Sequence, residues 1–457
     1  MSDINEKKGN GLALLPFAIF IVVYLSSGII LQAKGVEMAF YQFPAPIAAL
    51  IGIIFAFILT KGSLDDKFTV FIKGCGDENI VTMCIIYLLA GAFSTVSSTM
   101  GGVESTVNLG LTLIPANFIT VGIFIVAAFI SISTGTSVGT VVAVAPIAVE
   151  LVEKAGLNLP LALGALVGGA MFGDNLSIIS DTTIAATRTQ GISMRDKFRA
   201  NVGFALPAAL VTIVLLLILG KPVNTPEIQE YSYNLIKIIP YAFVLIAALA
   251  GMNVLVVLTG GIILSGAIGI YYGSFTLLGL SQEIYSGFTG MIDIFLLSLL
   301  TGGLANMVSN AGGLDWLLYR VKRMIKGNKS AQLGISALVS LTDMATANNT
   351  VSILVTSQLA KELSKEYRID PRKTASLLDT FSCIMQGLIP YGAQLLIAAS
   401  FTNGAISPVQ IVPNIWYCGI LAVFAILSIL TPFGNRYLIK NSWNFEEASA
   451  MDEVASE

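Results

Sequence analysis

The chain has 457 residues, of which 55% are hydrophobic and only 12% charged, and its mean hydropathy is +0.81. A water-soluble domain carries about a quarter charged residues, so this composition excludes a soluble globular protein and indicates a chain that crosses a membrane many times. The net charge of -3 excludes nothing, but the lack of histidine does: it removes the usual proton shuttle near neutral pH, the commonest transition-metal ligand and the Ser-His-Asp arrangement.

In chain order, residues 1–10 are polar, and Lys7 and Lys8 place them on the cytoplasmic side. The apolar run that follows is long enough to stay as a span, so no cleavable signal is expected. Runs approaching the roughly 20 residues of a membrane helix lie at 12–31, 44–60 and 79–102. The next, 116–151, is interrupted by STGTSVGT; then come 159–187, interrupted by FGDNLSIISDTT, and 202–219. The segment 221–231 (KPVNTPEIQEY), with two prolines and two glutamates, reads as a connector. A second set follows at 233–251, 254–271, 284–313, 331–360, 373–400 and 412–430, shifted by about 211.

The shift reflects an internal repeat. LLAGAFSTVSSTMGGVE (88–104) matches LLTGGLANMVSNAGGLD (299–315) without a gap at an offset of 211. The first copy continues without Lys or Arg to Phe118, whereas the second carries Arg320, Lys322, Arg323, Lys326 and Lys329. Basic loops stay on the cytoplasmic side, so the copies face opposite ways, as in many secondary transporters. The cluster Arg188, Arg195, Lys197 and Arg199, the run KELSKEYRIDPRK (361–373) and the pair Arg436 and Lys440 are likewise read as solvated cytoplasmic charges. Ten crossings plus two re-entrant hairpins, at 116–151 and 331–360, satisfy every cluster. The expected fold is an all-α polytopic membrane protein with inverted-topology repeats, divided into a first repeat (1–220), a connector (221–232), a second repeat (233–435) and a cytoplasmic tail (436–457), both termini inside. Cys75, Cys84, Cys383 and Cys418 lack redox or metal-ligand spacing. Gly164, Gly168 and Gly169 read as helix-packing positions.

Four interrupted segments carry the chemistry. The first hairpin contributes Thr134, Thr136, Ser137 and Thr140; the second contributes Asp343, Thr346, Asn348, Asn349 and Thr350, with Thr136 opposite Thr346 and Thr140 opposite Thr350 at an offset of 210. FGDNLSIISDTT contributes Asp174 and Asp181, and QGLIPYGAQ contributes Gln386, Tyr391 and Gln394. Irregular backbone inside a bilayer is tolerated only where it lines a cavity or is buried in protein. Freed carbonyls, hydroxyls and amides meeting near the midplane suit a hard cation such as sodium.

Ionisable groups inside a membrane are costly and functional by default; here they are Asp174, Asp181, Asp293, Asp343 and Asp379. On a continuous helix Asp174 and Asp181, two turns apart, would share a face, although the glycine and polar residues beside Asp174 also suit a break. Burial favours a protonated carboxyl and a bound cation favours the ionised form, so one aspartate can trade a proton for sodium. Asp181 and Asp343, with Asn348, are the expected ion ligands. For Asp293 and Asp379 a structural role is the expectation, Asp379 near the cytoplasmic surface.

At these residues the chain resembles the NhaC-type sodium/proton antiporters. The resemblance rests on TGTSVGT (134–140) and more strongly on FGDNLSIISDTT, where many relatives read FGDKxSPxSDTT. It implies a bacterial inner-membrane carrier and carries over to Asp174, Ser177, Ser180, Asp181, Thr182 and Thr183. The chain departs from the pattern at Val138, where tryptophan is usual, at Ile178, where proline is common, and at Asn175, where a lysine is common. The last departure removes a lysine–carboxylate pair and one route to proton coupling.

The expected activity is sodium/proton antiport by alternating access, with no cofactor and with sodium as the transported or coupling ion. The alternative is sodium-coupled transport of an amino acid or small carboxylate, for which Asn306, Asn310, Gln386, Tyr391 and Gln394 add polar capacity. Membrane lipid, sodium and protons are the expected partners. A small organic solute and a homodimer stay open, and no nucleic acid is expected. No nucleotide-binding loop or metal-ligand cluster is present, so an enzyme is not expected, and a channel is the weakest class.

Overall fold

Backbone surrounded by hydrocarbon has no water to bond and closes its hydrogen bonds within helices. Accordingly, every regular element among the described residues is an α-helix or a 3-10 turn. The computed structural model describes residues 9–34, 36, 42–113, 115–178, 180–222, 232–250 and 252–445. Lys7, Lys8, residues 223–231 of the expected connector and residues 446–457 of the expected tail lie outside them.

The first half contains α1 (Leu15–Ala33), α2 (Ala45–Leu59), α3 (Leu64–Cys75), α4 (Glu78–Thr99), α5 (Gly102–Leu113), α6 (Ile119–Thr134), α7 (Ser137–Lys154), α8 (Leu159–Leu176), α9 (Asp181–Gln190) and α10 (Met194–Leu219). The second contains α11 (Leu235–Leu249), α12 (Val254–Tyr271), α13 (Leu277–Gly290), α14 (Ile292–Asn310), α15 (Gly313–Lys322), α16 (Asn328–Thr346), α17 (Asn349–Glu366), α18 (Pro371–Leu388), α19 (Ala393–Ser400), α20 (Pro408–Ile411), α21 (Trp416–Leu430) and α22 (Arg436–Lys440). Among the described residues seven helical stretches are long and apolar enough to cross a bilayer, and the bent pair Pro408–Asn414 and Trp416–Leu430 makes an eighth. The shorter apolar helices Ala45–Leu59 and Leu235–Ala247 stand at the two remaining positions where the sequence predicts a crossing. Two of the long stretches, Leu159–Gln190 and Pro371–Ser400, are broken: α8 gives way to α9, and α18 to α19.

Helix starts recur at a fixed interval: Ser137 and Asn349, Leu159 and Pro371, Asp181 and Ala393 are each 212 residues apart. The copies interlock. Helix α4 packs on α12 and α13 while α14 packs on α2 and α3; α7 packs on α19 while α9 packs on α17; α10 packs on α18 while α21 packs on α8. The broken spans meet where α8 packs on α18, and residues of both halves share one large apolar core. Close approach needs small residues. A Cβ on Gly169 would lie 2.3 Å from the Phe124 carbonyl oxygen, and one on Gly164 2.3 Å from that of Asn414, in keeping with their reading as packing positions.

In each hairpin the two arms pack on one another, α6 on α7 and α16 on α17. Each turns through a left-handed residue, Gly135 (φ +69°) and Ala347 (φ +50°). An extended N-cap follows: Thr136 accepts from the Gly139 amide at 3.2 Å and Asn348 from the Val351 amide at 3.0 Å. This corrects the expected register by two residues, since Thr134 now corresponds to Thr346, Thr136 to Asn348 and Thr140 to Ser352. Matching hydroxyl to hydroxyl was misleading, because the turn is set by the left-handed residue and its cap. A side chain in that conformation costs about 1–2 kcal/mol that glycine avoids. We therefore expect Ala347→Gly to raise the thermal unfolding midpoint and Gly135→Ala to lower it, measured on purified protein in one detergent.

Candidate functional site

The break in the first broken span falls between Asp174, in the last turn of α8, and Asp181, the first residue of α9. The two aspartates therefore do not share a helix face. Asp174 is buried, and both of its carboxylate oxygens are occupied: Ser137 at the first hairpin tip donates to Oδ2 at 2.8 Å, and Thr182 across the break donates to Oδ1 at 3.1 Å. The Ser180 hydroxyl caps α9 at the Thr183 amide and donates to the Asp174 carbonyl at 3.1 Å. Ser177 ties the break to the hairpin, its hydroxyl donating to the Ile132 carbonyl at 2.9 Å.

The web continues into the second half. The Gln394 amide donates to Ser137 Oγ at 3.0 Å, and the Gln386 amide donates to Gln394 Oε1 at 2.9 Å. With an interval of 212, Gln386 corresponds to Asp174 and Gln394 to Thr182. The same two positions are thus bonded across the break in each half, once through a carboxylate and once through an amide. Tyr391 holds the second break to the second hairpin, its hydroxyl donating to the Met344 carbonyl at 2.8 Å. Its ring packs against Phe17 and Phe20.

Beside this web lies a buried ion pair that the sequence reading missed. Lys197 Nζ stands 2.6 Å from Asp379 Oδ2, and both side chains are 0% exposed. The ammonium spends its other two protons on the Asn175 carbonyl at 2.5 Å and the Thr183 hydroxyl at 2.7 Å. That carbonyl is among the last of α8, which have no partner within the helix. Asn175 and Asn201 donate to Asp379 Oδ2 at 2.8 and 3.2 Å, and Asn175 also reaches Thr380 at 3.1 Å. Asp379 Oδ1, Asn175 Oδ1 and Asn201 Oδ1 are buried acceptors without a hydrogen-bond partner.

Several expectations are corrected. Lys197 is not a solvated loop charge, whereas Arg188, Arg195 and Arg199 around it are exposed. Asp379 is buried rather than near the surface. The lysine–carboxylate pair that Asn175 seemed to delete is present, its lysine supplied by α10. In the run 361–373, Arg372 and Lys373 are buried. Thr134, Thr140 and Thr346 spend their hydroxyls on carbonyls of their own helices at 2.8–2.9 Å, and Asn349 Oδ1 accepts from the Thr350 amide at 3.0 Å. Asp181 is exposed and shares no hydrogen bond with Asp343 or Asn348. Asp343 is fully buried, and neither of its carboxylate oxygens has a partner. Asp293 is exposed and lines a cavity of about 310 Å³ with Tyr24, Ser400 and Asn403. Among the described residues no group of three or more His, Cys, Asp or Glu side chains is placed to hold a metal ion, so any cation here would rely on mixed oxygen ligands.

The Na+/H+ antiporter family matches this chain over residues 6–221 and 223–432. The chain is 25% identical over 398 residues to the Na(+)/H(+) antiporter NhaC of Bacillus subtilis, covering 78% of this chain and 84% of that one. It is 23% identical over 424 residues to the Na(+)/H(+) antiporter NhaC of Alkalihalophilus pseudofirmus, covering 85% and 88%. It is 21% identical over 387 residues to the malate-2H(+)/Na(+)-lactate antiporter of Bacillus subtilis, covering 77% and 81%. Spanning both halves and both broken helices, the match shows that the chain belongs to the Na+/H+ antiporter family, a family of transporters rather than enzymes.

Proposed function

We propose that this protein exchanges sodium for protons across the bacterial cytoplasmic membrane, with its two helical copies inverted and both termini inside. The carrying observation is the Lys197 ammonium, coordinated by a carboxylate, a freed backbone carbonyl and a hydroxyl at 2.5–2.7 Å. A dehydrated sodium ion would use this ligand set, and the partnerless oxygens of Asp379, Asn175 and Asn201 extend it. Sodium and the ammonium compete for these oxygens, because two unit charges about 4 Å apart repel by about 4 kcal/mol even at an effective dielectric constant of 20. Asp174 is the second carboxylate of the centre, tied by Ser137 to the first hairpin tip. Asp343 is a further buried carboxylate, on the second hairpin. Ionised without a partner it costs several kcal/mol, which a proton or a cation would relieve. The weight placed on Asp181 in the sequence moves to Asp174 and Asp379. Asp181 keeps a role at the mouth, where an exposed carboxylate attracts the incoming ion.

Sodium-coupled transport of a small carboxylate is the second reading, favoured by the name of the malate and lactate relative and by the amides of Gln386 and Gln394 in the web. Both readings are tested in proteoliposomes. We expect a sodium jump to drive an internal pH change without organic solute, and labelled lactate to remain outside. Lactate uptake that requires sodium would shift the conclusion to the second reading.

Removing one partner of a buried pair costs about 3–5 kcal/mol, whereas replacing both by apolar groups is often neutral. Asp379→Leu alone should therefore lower stability markedly, and Lys197→Met with Asp379→Leu should recover it. Both variants should lose at least about 100-fold in sodium-driven proton flux; a stable double variant with normal flux would remove the pair from the site. Orientation is read by labelling single cysteines in a cysteine-free background. Glu104→Cys should react from outside and Lys326→Cys only from the cytoplasm.

A further inference from the structure

The second half ends in a basic cavity that the ion-binding centre does not use. A space of about 520 Å³ opens between the start of α16, the turn from α17 into α18, the end of α21 and the segment 441–445, and its lining includes Lys329, Arg368, Lys373, Ser428, Asn435 and Trp443. Lys373 is only 4% exposed. Its ammonium donates to Ser428 Oγ at 2.6 Å and Asn435 Oδ1 at 3.1 Å and lies 5.3 Å from the Phe204 ring centroid. Among the described residues no carboxylate pairs with it. The adjacent acid, Asp370, is engaged by the Arg372 guanidinium, which donates from Nε at 2.9 and 3.2 Å and from a terminal nitrogen at 2.5 Å. Arg372 is further fixed by the Asn441 carbonyl and by the rings of Tyr437 and Trp443. Arg368 is exposed and holds no ion pair, and Lys329 gives one proton to the Leu430 carbonyl at 2.7 Å.

Among the described residues the lining thus carries three basic side chains, one of them buried, beyond the Asp370 carboxylate that Arg372 engages. A buried ammonium without a counter-ion is unfavourable, and an anion in the cavity would relieve it. Surroundings indicate its form. Val423, Ile426, Leu427 and Leu430 of α21 are exposed apolar side chains leading up to the cavity, as on a helix facing acyl chains. Trp443 is among the lining residues, and tryptophan favours the membrane interface. Basic pockets between spans on the cytoplasmic side suit phosphate headgroups. We propose that this cavity binds the phosphate group of an anionic phospholipid of the inner leaflet, with Lys373 as the buried anchor and Arg368 and Lys329 at the mouth.

The test uses the full-length protein in a neutral detergent, titrated separately with phosphatidylglycerol, phosphatidylethanolamine and inorganic phosphate while thermal unfolding is followed. Phosphatidylglycerol should raise the midpoint by several degrees, and phosphatidylethanolamine should not. The double variant R368Q/K329Q, which alters only exposed side chains, should need at least tenfold more phosphatidylglycerol for the same shift. K373Q should abolish the shift, and the double variant carries the test if K373Q fails to fold. A shift with inorganic phosphate alone, lost in the double variant, would support the phosphate chemistry and assign a soluble source. Equal shifts with both lipids, no shift with lipid or phosphate, or an unchanged response in the double variant would overturn the proposal. None of these results depends on which ion the buried centre carries.

Discussion

The fold follows from one constraint: a helix that breaks inside hydrocarbon leaves backbone groups that nothing but protein can satisfy. Among the described residues the breaks after α8 and α18 and the two hairpin tips are buried against one another. The Asn175 carbonyl, freed at the end of α8, is met by Lys197 and Asn201; the Met344 carbonyl near the second tip is met by Tyr391. Interlocking of the halves is the geometric result, since each half's hairpin packs on the other half's broken span.

On this repeated scaffold the chemistry is unequal. Asp174 faces Gln386 in the equivalence, Asp343 replaces Ser131 and Asp379 replaces Val167. A symmetrical distribution would place acids on both tips and in both breaks, four like charges in a low-dielectric interior. The observed one spreads three carboxylates over α8, α16 and α18 and sets a lysine against one of them. Thr182 to Asp174 to Ser137 to Gln394 to Gln386 forms an unbroken chain of hydrogen bonds through both halves. This chain ties the first hairpin tip to both breaks, and in the proposed mechanism a cation bound beside Asp174 would act on all three.

Much of this was legible before any coordinate. The internal match at 88–104 and 299–315 gave the repeat, and the polar interruptions gave the breaks and tips, because a run of Ser, Thr, Gly and Asp cannot stay helical in lipid at low cost. Ser137, Asp174, Gln386 and Gln394 were named from those runs, and Thr182 from the family resemblance they carry. What was not legible depends on direction. Lys197 sits among Arg188, Arg195 and Arg199, and a basic residue in such a cluster signals a cytoplasmic loop; nothing in the sequence says that one of the four turns inward. Lys373 was hidden in KELSKEYRIDPRK for the same reason. Asp181 was the expected ligand, yet the first residue of a helix points outward as readily as inward, and here it is exposed.

The central claim is that the Lys197 ammonium and a sodium ion contend for the oxygens of Asp379, Asn175 and Thr183. Equilibrium binding of radioactive sodium to purified Lys197→Gln protein addresses it most directly. If the ammonium is the internal competitor, the variant binds sodium at least about tenfold more tightly than the unaltered protein, and Asp379→Asn abolishes that binding. Unchanged or weaker affinity in the Lys197 variant, with binding preserved in Asp379→Asn, would place the sodium ion elsewhere and contradict the account.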